Sequence, residues 1–87
     1  MANYEIQFKN SVAKDLRGIP NGDVKKILER IDALAVNPKG EGCIKLSGQE
    51  RYRIRQGVYR IIYEVRDAEI VVVVVKVGHR SQVCKSS

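Results

Sequence analysis

Tryptophan is absent from this chain, and phenylalanine and histidine occur once each. One histidine, His79, is a poor start for a metal centre. The two cysteines, Cys43 and Cys84, lie far apart with no C-x-x-C spacing. They suit neither a zinc site nor a disulfide framework. We therefore expect no metal and no cofactor. Long apolar runs are missing as well. The valine-rich stretch Ile70–Val75 is much shorter than the about 20 residues a bilayer span needs. The opening "MANYEIQF" has no apolar signal core. The expectation is a soluble cytoplasmic protein.

Acidic side chains are in short supply: 10 Asp+Glu stand against 16 Lys+Arg, a net charge of +6. The shortage is local. Residues 1–37 hold six basic and five acidic side chains, whereas residues 38–87 hold ten and five. Such a field attracts a polyanion, either nucleic acid or an acidic protein. A basic surface also serves solubility alone, so charge does not decide between these uses. The 87 residues make one domain, 1–87. A chain of this size buries roughly 60–65% of its unfolded surface, which leaves a thin stability margin.

What is present reads as alternating elements. In "NYEIQF", residues 3–8, Tyr4, Ile6 and Phe8 face one way, the period of a half-buried strand. Asn10 is placed as an N-cap and Gly18 as a stop for a short helix carrying Val12, Ala13 and Leu16. Residues 21–36 repeat Val24, Ile27, Leu28, Ile31, Leu34 and Ala35 at helical steps. Asn37-Pro38 ends that helix, because proline disfavours helical geometry in the residue before it. The glycine-rich "PKGEGCIKLSGQ" predicts a loop or an irregular edge strand. Three strands follow, over 51–55, 58–65 and 69–77. The last is apolar on both faces, Val71, Val73, Val75 and Val77 on one and Ile70, Val72 and Val74 on the other. A strand of that kind sits inside a sheet. The order β-α-α-β-β-β predicts an α+β fold, a mostly antiparallel sheet with two helices packed on one face.

The stretch "RYRIRQGVYRIIY", residues 51–63, concentrates positive charge. A turn at Gln56-Gly57 would pair Arg53 with Arg60 and place Arg51, Arg53, Arg55 and Arg60 on one face. Tyr52, Ile54, Tyr59, Ile61 and Tyr63 would form the other. Directly opposed like charges cost a sheet up to about 1 kcal/mol. A bound anion offsets that cost, and the arginine fork grips phosphate bidentately. The bland alternative is a solvated basic hairpin. A second group, "KVGHR", adds Lys76, His79 and Arg80, with Gly78 leaving room for a close approach.

The motif "KLSGQERYRIRQGVYRIIYEV", followed by "IVVVVVKVGHRSQV", closely resembles the RelE/ParE superfamily of toxins, nearer to RelE. The resemblance covers essentially the whole chain. It implies a toxin of a type II toxin-antitoxin system, a ribosome-dependent mRNA endonuclease that works without a metal. The message's 2′-OH attacks the adjacent phosphate and leaves a 2′,3′-cyclic phosphate. The implied partners are a cognate antitoxin, acidic and partly disordered when free, together with the ribosome and mRNA. By motif position, Arg53 and Arg55 take the place of the family's basic pair, Arg60 that of the phosphate-gripping arginine and Arg80 that of the distal arginine. Lys45, Arg51, Lys76 and His79 are further candidates for phosphate or RNA contact.

Two positions depart from the pattern. Arginines replace the lysines of RelE on the first hairpin strand, and arginine, with a pKa above about 12, is a poor base. Cys84 stands where the family commonly has a tyrosine. It is a candidate catalytic residue as an easily ionised thiol, or else a small apolar filler in a weakened enzyme. A non-enzymatic relative acting through antitoxin or gyrase binding is the alternative. A generic nucleic-acid-binding module ranks below both, because the basic face lacks stacking aromatics.

Overall fold

The computed structural model describes residues 3–40, 42–46 and 51–79. Strand β1 (Glu5–Phe8) leads into helices α1 (Asn10–Arg17) and α2 (Asn21–Leu34). Four strands follow: β2 (Ile44–Lys45), β3 (Arg51–Gln56), β4 (Tyr59–Arg66) and β5 (Val71–His79). They form one sheet in the order β1-β5-β4-β3-β2. β1 runs parallel to β5, and the remaining neighbours are antiparallel. The expected α+β layering is observed, with the glycine-rich segment supplying β2 as a two-residue edge strand.

Helical spacing sets what the helices bury. Val12 from α1 and Ile27, Ile31 and Leu34 from α2 meet Tyr52, Ile54, Ile61, Tyr63, Val72, Val74 and Val77 from the sheet. Leu28, assigned to the same stripe from sequence, is instead exposed. Asn10 is the first residue of α1 rather than its cap; Lys9 takes the cap position with no side-chain bond. Gly18 does close α1. α2 stops at Leu34, where Ala35 O accepts a hydrogen bond from Tyr4 N at 2.7 Å. Pro38 beyond it is buried, and its carbonyl accepts the Tyr63 hydroxyl at 2.6 Å. Pro38, four residues past the end of α2 and not its terminator, thereby anchors the centre of the sheet.

Strict alternation fails in β5. Ile62 faces Lys76 while Tyr63 faces Val74, so Val75 is an extra residue in the ladder. A bulge of this kind shifts the alternation by one. Val77 consequently joins Val72 and Val74 in the core, not Val71, Val73 and Val75. The expectation that β5 lies inside the sheet holds, since β1 and β4 flank it.

β1 ends at Phe8 opposite Val74, and beyond that point β5 loses its neighbour on that side. α1 fills the gap: Asp15 Oδ2 accepts the Val77 amide at 3.2 Å. A side-chain carboxylate here replaces a missing strand, which keeps a buried donor satisfied.

Candidate nucleic-acid interface

The hairpin turn lies at Gly57-Val58, one residue later than the sequence suggests, with Gln56 paired to Tyr59. Gly57 has φ +62°, the glycine-first arrangement of a II′ hairpin turn. A turn at Gln56-Gly57 would put the left-handed residue second. The shift changes every pairing. Arg55 now faces Arg60, Arg53 faces Ile62, and Arg51 faces Glu64.

Period-two alternation still sends all four arginines to the sheet face opposite the helices, because Tyr52, Ile54, Ile61 and Tyr63 fill the core. On β5, Gly78 lies opposite Arg60 and Lys76 opposite Ile62, on the same face. Arg55, Arg60 and Gly78 form one row across the sheet, and Arg53, Ile62 and Lys76 form the next. Gly78 carries no side chain to crowd Arg60.

The cations differ in their surroundings. Arg60 is 9% exposed, the one charged side chain buried to that degree among the described residues. A charge in such a low-dielectric setting interacts more strongly with an incoming anion than one in water. Arg53 is half-buried, and its Nε is shielded with no acceptor in reach among the described residues. Arg55 is exposed. Arg51 is spoken for: Nη2 and Nε both lie 3.3 Å from Glu64 Oε2. Arg66 shares that carboxylate at 3.5 Å.

Other sequence candidates fall elsewhere. Lys45 pairs with Tyr52 and so leaves the sheet on the helix side, at the β2 edge. His79 pairs with Tyr59, also on the helix side, in an edge-to-face contact at 6.2 Å. Arg80 and Cys84 lie outside the described residues. Two functional neighbours escaped the sequence reading. Glu64, the counterion of Arg51, follows from the correct turn; Asp15, which holds the end of β5, has no signal in local pattern.

The fold agrees with comparisons to known proteins. Residues 6–84 match the family model of the ParE toxin of type II toxin-antitoxin systems, so the chain belongs to that family, within the RelE/ParE superfamily of toxins. It is 31% identical to RelE1 of Methanocaldococcus jannaschii over 87 residues, 95% of this chain and 97% of the relative. Its structure is similar to the toxin-antitoxin complex RelBE2 from Mycobacterium tuberculosis, with a TM-score of 0.81 at 25% identity over 93% of this chain and 95% of the other. It is similar also to the archaeal RelE-RelB complex from Pyrococcus horikoshii, with a TM-score of 0.78 at 27% identity over 92% and 98% of the two chains.

Proposed function

We propose that this toxin is a ribosome-dependent mRNA endonuclease of the RelE type, acting in the cytoplasm without a metal. The observation that carries the reading is the juxtaposition of Arg55 and Arg60 on one sheet face, with Arg53 and Lys76 in the next row. In the proposed step the 2′-OH of the message gives its proton to solvent water and attacks the adjacent phosphorus. The bond to the 5′ oxygen breaks, and that oxygen takes up a proton. The products are a 2′,3′-cyclic phosphate and a 5′-OH. The phosphorane between them carries more negative charge than the diester. Fixed guanidiniums aimed at it favour the transition state over the ground state.

Arg60 grips the phosphate, Arg53 and Arg55 hold the neighbouring charge, and Arg80 is the candidate donor to the leaving oxygen. His79 departs from the other face of the sheet, so the reading rests on positioning and charge rather than on a histidine base. Cys84 takes the position of the family's tyrosine. An acidic antitoxin, folding as it binds, would silence the toxin by covering this surface; the similar M. tuberculosis and P. horikoshii proteins are both in complexes of toxin with antitoxin.

Translation in a cell extract tests the proposal. Message cut with cyclic-phosphate ends supports it. The match to the ParE family model favours a second reading, a non-enzymatic toxin acting through gyrase or antitoxin binding. Intact message with inhibited gyrase would support that one.

A further inference from the structure

Behind the arginine face, on the helix side, the same end of the sheet holds a cavity of about 440 Å³. Asp15, Gly18 and Ile19 wall it on one side, and Tyr59, Val77, Gly78 and His79 on the other. Resting on the reading that RNA is the substrate, we propose that this cavity binds the base of a nucleotide flanking the cleaved phosphate. The proposed ligand is an amino-bearing base, preferred over uracil.

Position is the first argument. Tyr59 adjoins Arg60 in β4, and Gly78 both lines the cavity and lies opposite Arg60. The Gly57-Val58 turn ends the β3–β4 hairpin here, one residue beyond the Tyr59–His79 pair. A nucleotide whose phosphate meets Arg60 can therefore turn its base around that end. Wall chemistry is the second argument. Tyr59 and His79 present an aromatic pair in edge-to-face contact at 6.2 Å, and aromatic rings are the usual platform for an unstacked RNA base. Charge is the third. The Asp15 carboxylate repels phosphate, so the sugar–phosphate chain stays on the arginine face and the neutral base enters. A carboxylate has about four lone-pair sites. The bond from Val77 N to Oδ2 uses one of them. The remainder accept N–H groups, as carboxylates do from the amino group of cytosine. Uracil presents a carbonyl at that position and is disfavoured.

Amide chemical-shift titration of the whole chain with CMP, UMP and ribose 5-phosphate tests this. CMP should shift Asp15, Gly18, Tyr59 and His79, and bind at least about fivefold more tightly than UMP. Ribose 5-phosphate should perturb the arginine face alone. Asp15→Asn keeps an oxygen for Val77 N and turns N–H donors towards the base, so the preference should move to UMP. Equal binding of CMP and UMP, shifts confined to the arginine face, or an unchanged preference in Asp15→Asn would overturn the proposal. Message cutting in an extract with no response at the cavity sinks this inference alone. Base binding without cutting leaves it standing and removes the endonuclease reading.

Discussion

Arg55 and Arg60 face each other directly across the β3–β4 hairpin, two guanidinium side chains leaving the same side of the sheet. Opposed like charges cost up to about 1 kcal/mol in an antiparallel pair. Replacing Arg55 by Gln should therefore raise unfolding free energy by up to about 1 kcal/mol in low salt, with the gain shrinking as salt screens the pair. The same variant should cut message more slowly. Urea denaturation beside a cleavage assay reads both effects, and a destabilised variant would remove the repulsion argument.

Arg51 differs from its neighbours because Glu64 already occupies it. Arg51→Ala should lower cleavage far less than Arg60→Ala. Its stability cost should be small, about 0.2–1 kcal/mol for a partly exposed pair. A cleavage loss equal to that of Arg60→Ala would put Arg51 among the phosphate-gripping residues.

Burial pushes the Tyr63 hydroxyl well above the ordinary tyrosine range. In the unfolded chain the phenol ionises near pH 10, while in the folded chain it stays protonated. The folded state then binds more protons, so stability falls as pH rises above about 10. Tyr63→Phe should flatten that alkaline slope and cost about 0.5–1.5 kcal/mol at neutral pH, through loss of the bond to Pro38 O. Denaturant titrations at several alkaline pH values give the slope directly.

The acid side has its own anchor. Asp67 accepts from Lys39 Nζ at 2.6 Å and from the Tyr4 hydroxyl at 2.7 Å. These bonds, that from Lys39 foremost, hold its carboxyl below the usual range. The lowered pKa means a contribution present above the ordinary carboxylate pKa and lost as pH falls through the folded value. Asp67→Asn should show a shallower loss of stability on acidification below about pH 4. An unchanged acid limb would leave the cluster without a role in stability.

Ile70 adopts φ +56° in the turn before β5, a region where a β-branched residue is strained. Its carbonyl accepts the Glu5 amide at 2.9 Å, a bond any residue can make. Ile70→Gly should stabilise the domain by about 1 kcal/mol, visible as a raised melting temperature. A drop would mean that the exposed isoleucine side chain contributes more than the backbone strain costs.

Much of this architecture was legible because period and punctuation agree. Ile27, Ile31 and Leu34 recur at helical steps and are buried. Tyr52 and Ile54 alternate with arginines, so the cationic face survives even a misplaced turn. The turn itself depended on one choice, whether Gly57 comes first or second, and only the left-handed geometry of Gly57 decides it. The bulge at Val75 could not be read from a run of valines, in which every position looks alike. Lys45 and His79 were close to the arginines in sequence but leave from the other face, a distinction set by register. Asp15 reaches β5 only because β1 ends at Phe8, a tertiary fact with no local signature.

The decisive measurement is the rate at which ribosome-bound message is cut by the unaltered chain and by Arg60→Gln, in single turnover with end-group analysis. Loss of one charge-stabilising donor of this kind costs about 10²–10³ in rate. A drop of that order is expected for Arg60→Gln in a folded protein, with 2′,3′-cyclic phosphate ends from the unaltered chain. Equal rates for the two proteins, or no cutting by either, would overturn the role of Arg60 in phosphoryl transfer.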